Sequence, residues 1–171
     1  MLNASSLATE MKNAVGGKTD AIDALSSLST AISEYIKSNA VITFSWIAVN
    51  PSGVPDPMTS ASGAFTSVKI VLTPSGTDNY QQSQSQFSSQ CDAGLSASMY
   101  NITDAGFSSS PASPGTTIPL ALSIPETNSY DEAMNALASD IVDWVKQQIP
   151  SVPVSGSHGA YVGVGSVVSI Q

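Results

Sequence analysis

The chain has 171 residues, enough for one domain with a real core and too few for two comfortable ones. Five lysines, no arginine and thirteen acids give a formal net charge of −8; direct nucleic-acid binding, which needs clustered cations against phosphate, is not expected. The apolar share of 42% suits a packed globule, but charged residues are only 11%, less than half of the roughly 25% usual in soluble proteins. Serine, threonine and glutamine therefore supply most of the polarity.

In chain order, ASSLATEMKNAV reads as a short helix with Leu7, Met11 and Val15 inward, ended by Gly16-Gly17. Thr19 or Asp20 then caps the main helix, 20–39, and Asp20 and Asp23 stand in its first turn, where the helix dipole favours carboxylates. Ile22, Leu25, Leu28, Ile32, Tyr35 and Ile36 recur at three- and four-residue steps and form one stripe. At Val41 the period changes to two, and Ile42, Phe44, Trp46 and Ala48 share one side of a strand over 41–49.

NPSGVPDPMTSASG, with three prolines and two glycines, predicts a stiff extended loop. It is long for a hairpin connection and so a candidate for contact with a partner. A second strand follows over 64–73. In the serine- and glutamine-rich stretch 75–115, the spacing of Tyr80, Phe87, Cys91 and Leu95 predicts a helix capped by Asp78 and ending near Gly94, a pair of strands being the alternative. NITDAGFSSSPASPG is then a loop, and TIPLALSIP, bounded by Pro119 and Pro125, an edge strand or extended packing segment.

Ser129 and Glu132 make a capping box for the last helix, 129–149, whose stripe is Met134, Leu137, Ile141, Trp144, Val145 and Ile149 and whose stop is Pro150. The expectation is an α+β domain over 1–150 in which amphipathic helices pack on a small, mainly antiparallel sheet, with Trp46 and Trp144 buried. Residues 151–171 read as a linker and a C-terminal strand or arm. AYVGVGSVVSIQ is weakened by internal glycines and needs a sheet edge, from its own domain or from another subunit.

Apparent chemistry does not hold together. Gly16-Gly17-Lys18-Thr19 lacks the first glycine of a phosphate loop, since Lys12 stands there. His158 is the only histidine and lies in a Gly/Ser-rich stretch where nothing in the sequence positions it; Ser155 and Ser157 beside it have no assignable base or oxyanion donors. Asp131, Glu132, Asp140 and Asp143 read as the solvated face of a helix, and the single Cys91 makes neither a disulfide within the chain nor a metal site by itself. No catalytic residue, metal or cofactor is assigned. Asn3-Ala4-Ser5 and Asn101-Ile102-Thr103 match the glycosylation pattern, but no cationic, apolar leader follows Met1, and no apolar run approaches the ~20 residues that span a bilayer.

From AISEYIKSNAVITFSWIAVNPSGVPDPMTSASG the chain resembles small virion structural proteins of tailed bacteriophages. The likeness covers roughly the first seventy residues: a Leu/Ala/Ser helix with a tyrosine near its end, a strand entered directly, and a Pro/Gly/Thr-rich loop. The resemblance implies a non-enzymatic building block present in many copies, in a neck or tail by preference, made in the host cytoplasm and ending in the virion. Its partners would be itself and other virion proteins, with no membrane involved. Interaction candidates are Pro51, Val54, Pro55 and Pro57 in the loop and Tyr161, Val162, Val164, Val167, Val168 and Ile170 in the final strand. A small ligand- or peptide-binding domain and a hydrolase are the alternatives.

Overall fold

Strand β1, Ile42–Val49, buries every second side chain, with Ile42, Phe44, Trp46 and Ala48 turned inward. A computed structural model describes residues 1–19, 21–74, 91–115 and 129–171. Its elements run α1 (Ala4–Val15), α2 (Ala21–Asn39), β1, β2 (Ser60–Pro74), β3 (Cys91–Ile102), β4 (Phe107–Ser109), α3 (Tyr130–Gln147), β5 (Val154–His158) and β6 (Tyr161–Ile170). The six strands form one antiparallel sheet of order β3-β2-β1-β6-β5-β4, so the fold is α+β as expected.

The sheet curls almost into a barrel. A bridge between Tyr100 and Ala112 brings the chain beyond β4 back to β3, and the Asn101 side-chain amide donates to the Ser109 carbonyl at 3.2 Å. Across the interior, Trp46 of β1 meets Phe107 of β4 edge to face with ring centres 5.0 Å apart, and Phe44 stacks at 6.0 Å on Tyr100 of β3. Such ring pairs add to the area that they bury. Both tryptophans are buried, Trp144 on α3 by the helical stripe that the sequence displays.

Asn3, not a residue within the apolar pattern, caps α1 by accepting from the Ser6 N–H. The Tyr35 hydroxyl of α2 accepts from the Asn3 N–H at 3.0 Å and donates to the Asn3 carbonyl at 2.9 Å, so one phenol holds the start of α1 against α2. Gly16 is the C-cap of α1, and Gly17, at φ +75°, turns the chain towards α2; the Gly-Gly-Lys-Thr run is a helix connection. Helix α2 lies on β2, where Ser33 Oγ accepts from the Ile70 N–H at 2.8 Å beside a shift in the β2–β3 register. On α3, Ser129 Oγ accepts from the Glu132 N–H as the capping box requires.

Three expectations change. Residues 91–102 are strand β3, paired with β2 from Pro74–Cys91 to Gly63–Ile102, so the helix expected to reach Gly94 does not include them; its earlier part and TIPLALSIP lie outside the described residues. The long free edge of β2 satisfies more backbone groups than an isolated serine-rich helix would. The NITDAGFSSSPASPG stretch contains β4, which pairs with β5.

Third, the stretch read as a linker contains a strand, and the expected C-terminal strand pairs within its own domain, one of the two readings that the sequence left open. β5 and β6 are a hairpin turned at Gly159, φ +57°, and β6 pairs with β1 from Val49–Val162 to Ile42–Ile170. Val41 and Gln171 exchange N–H to carbonyl bonds at 2.9 Å, which prolongs the ladder. Lying between β1 and β5, β6 has its backbone committed within the chain, and Val167 and Ile170 are buried in the core and not offered to a partner. The glycines that weaken this segment as a lone strand fit it to its place: a Cβ on Gly163 would lie 2.5 Å from the Ala48 Cβ, and one on Gly165 would meet Ile102 at 2.9 Å.

Deleting residues 151–171 removes a central strand, so the truncated chain should lose cooperative thermal unfolding in a calorimetric scan. A folded, cooperative truncation would contradict the topology. Gly163→Ala should cost about 1–3 kcal/mol in urea unfolding, the usual range for overpacking a site that must shift to admit a methyl group.

Candidate interaction face and its Asp56 anchor

The loop between β1 and β2 is a closed hydrogen-bonded unit. Asn50 Oδ1 accepts from the Ser52 and Val54 N–H groups at 3.0 and 2.9 Å, while the Asn50 N–H donates to the Val54 carbonyl at 2.9 Å. This is the local side-chain turn chemistry of asparagine, completed by Gly53 at φ +77°. Pro55 then bridges to Val49, the Asp56 N–H donates to the Ala48 carbonyl, and the chain enters β2. Pro51, Val54, Pro55 and Pro57 are all exposed, as candidates for contact must be.

Asp56 anchors this loop inside the sheet. Its Oδ1 accepts from the Met58 N–H at 2.9 Å, and its Oδ2 accepts from the Trp46 indole Nε1–H at 2.9 Å and faces His158 Nδ1 at 2.8 Å. Burial alone would push the carboxyl pKa up, but the Met58 N–H, His158 and Trp46 together hold it below the ordinary carboxylate value. An ionised carboxylate only accepts, so Nδ1 of His158 must carry a proton. His158 therefore is positioned, contrary to the sequence reading: it stacks on Phe107 at 4.6 Å and beside Tyr161 at 6.4 Å. Gly106, at φ +89°, lets the Asp104–Phe107 turn approach the imidazole, since a Cβ there would be 3.3 Å from Nε2.

An oriented histidine with a buried acid is two parts of a nucleophilic triad. Among the described residues no serine hydroxyl is hydrogen-bonded to its Nε2, and no group of three or more His, Cys, Asp or Glu side chains could hold a metal. What the set does do is tie β1, the loop and the β5–β6 hairpin to one carboxylate. The signals in sequence were faint: a lone acid between Pro55 and Pro57, and a lone histidine at the end of an alternating V-S-G-S-H segment.

Outside the sheet, β1 and β6 carry an apolar face. Directly opposed residues of antiparallel strands point to one side. The register thus sets Pro55, Val49 and Val162 in one row and Ile47 and Val164 in the next, with Ser45 and Ser166 beyond. Ile47 is 73% exposed and Val162 67%; Val49, Val164 and Val168 are exposed too, while Tyr161 turns inward to His158 and is half-buried. Single exposed aliphatics are ordinary, but contiguous ones in the centre of a sheet are not. Each would contribute about 1.5–3 kcal/mol if moved wholly out of water.

The charge distribution sharpens the contrast. Between Lys37 and Lys69 the only charged residue is Asp56, and beyond Lys146 there is no lysine, aspartate or glutamate at all. The single acid in these segments is turned inward and neutral partners surround the apolar rows. The helices carry Glu10, Asp23, Glu34, Asp131, Glu132, Asp140 and Asp143, with Lys12 paired to Asp131 at 3.0 Å and Lys18 to Asp23 at 2.8 Å. Those two lysines also line an open groove of about 610 Å³ among the helices, with Val15, Leu25, Leu28 and Met134 as its apolar wall.

Compared with family models, curated proteins and solved structures, the chain finds no match in any of the three.

Because the folded pKa of Asp56 is depressed, its contribution to stability is full above the unfolded value of about 4 and is lost as pH falls through the folded value. The urea midpoint of the unsubstituted chain should therefore exceed that of Asp56→Asn at pH 6, and the gap should shrink below about pH 4. A gap that stays the same from pH 6 to pH 3 would contradict an ionised acceptor.

Proposed function

We propose that the protein is a non-enzymatic structural and assembly component of a tailed-bacteriophage virion, present in several copies and placed in the neck or tail. The observation that carries this reading is the uncharged, apolar outer face of β1 and β6, set opposite a helical layer that bears most of the charge. Interface centres are depleted in charge, and a surface of this kind suits occlusion between subunits better than permanent exposure. The resemblance of residues 31–63 to small virion proteins points the same way.

A small-ligand domain would use the groove among the helices. Its Lys12 and Lys18 are already paired with Asp131 and Asp23, so a ligand drawn by them would have to compete with two carboxylates. A hydrolase would use His158, whose oriented imidazole lacks a bonded nucleophile among the described residues. No helix among the described residues is long and apolar enough to cross a membrane.

Quantitative mass spectrometry of gradient-purified particles of the phage that encodes the chain should find it at a fixed ratio of several copies per particle. Its absence from infectious, otherwise complete particles would overturn the reading.

A further inference from the structure

Two of the chain's five lysines stand at one groove, the opening of about 610 Å³ where the end of α1, the turn at Gly17, the first half of α2 and the start of α3 meet. That volume is in the range of small-molecule sites. Among the described residues none of its lining side chains is an acid, although the chain carries thirteen. Its polar groups are the Lys12 and Lys18 ammonium groups and the Tyr130 phenol. Burial raises the pKa of that phenol, Lys12 beside it pulls the other way and Asp131 adds to the rise, so Tyr130 keeps its proton at neutral pH and has a donor to offer.

We propose that this groove binds a small amphiphilic carboxylate of the fatty-acid class, with its head at Lys12, Lys18 and Tyr130 and its aliphatic body along Val15, Leu25, Leu28 and Met134. The inference goes beyond the virion reading and does not rest on it. The chain itself shows the head group, since each lysine already holds a carboxylate, Asp131 at 3.0 Å and Asp23 at 2.8 Å. Those two acids are 72% and 59% exposed, and exposed pairs of this kind are weak. Competition from them lowers the affinity without closing the site, because an ammonium has three N–H donors and one carboxylate oxygen takes one. A ligand carboxylate also brings what Asp23 and Asp131 lack, an apolar body that leaves water as it covers the groove wall. A cationic amphiphile would meet two lysines, and a neutral one would leave their donors unused.

Calorimetric titration of the full chain with decanoate, kept below the concentration at which it forms micelles, tests this. Decanoate should bind once per chain with a dissociation constant below about 1 mM, and decyltrimethylammonium should not saturate in that range. In heteronuclear NMR spectra the amide signals of Val15, Gly17, Leu25 and Met134 should move along the titration. Lys12→Gln/Lys18→Gln should fold, since exposed pairs contribute little, and should bind at least about tenfold more weakly. Should it fail to fold, Ala24→Phe decides: it fills the groove from a half-buried position of α2, keeps both lysines and should weaken binding by the same factor. Absence of saturable binding, equal binding of the cationic amphiphile, or signals that move only in other segments overturns the proposal. So does a folded variant that binds decanoate as the unsubstituted chain does, because the ligand then sits elsewhere.

Discussion

The pairing of β6 with β1 is the constraint on which the rest of the structure depends. β1 receives its chain directly from α2, so its inward residues must pack under the helical layer while its edges seek partners. β2 supplies one edge and β6 the other, and the close approach on the β6 side is possible because Gly163 and Gly165 have no side chain to intrude on Ala48, Ile102 and the rings of Phe44 and Trp46. With β6 seated, its hairpin partner β5 brings His158 inside, and β5 in turn pairs with β4. The curl of the sheet follows from this order, since it is β4 and the bridge beyond it that return to β3.

A buried carboxylate is costly unless its oxygens are met by donors, and Asp56 is met by three. That requirement makes the arrangement specific. A loop of different length could still cross from β1 to β2, but it would not set an acid between the Trp46 indole and the His158 imidazole. The prolines on either side of Asp56 restrict the backbone conformations it can lose, which reduces the entropy cost of holding it there. The anchor thus joins three segments far apart in sequence, and it does so beneath the surface on which the apolar rows stand.

Much of this was legible in the sequence, for a physical reason. The stripes of α2 and α3, the alternation in β1 and the Ser129 capping box are local patterns with a single good solution, and the structure has them within two residues of where they were read. β3 was misread because serine serves strand and helix about equally and the four-residue step from Cys91 to Leu95 suits a helical face as well as one side of a strand. β5 was missed because glycine and serine read as linker unless a neighbouring strand is known. Of the interaction candidates, Val167 proved to be core because β6 has two faces and the sequence does not say which is inward, with Val162 and Val164 on the other side by alternation; Ile170, in step with Val162 and Val164 by count, is turned inward by the shift of register between Val167 and Ser169. The Asp56–His158 pair was invisible because no local pattern connects residues so distant, and only the β1–β6–β5 register brings them together.

That register also accounts for the division of polarity within the chain. In a fold with helices on one side of a curled sheet, charged residues on the helices maintain solubility, and the outer face of the sheet can be left neutral without precipitating an isolated chain at once. A neutral face still costs free energy in water, and serine at Ser155 and Ser166 could have been replaced by lysine or glutamate with little loss of packing, because these outward positions are exposed. Exposed central strands in soluble monomers commonly carry such charges. Here the outward positions carry valine, isoleucine and serine instead, and the one acid in the region is spent inside the sheet, holding Pro55 in line with Val49. Neutral rows outside and a bonded carboxylate beneath them are two consequences of one arrangement: the same strands that close the core keep their opposite side free of charge.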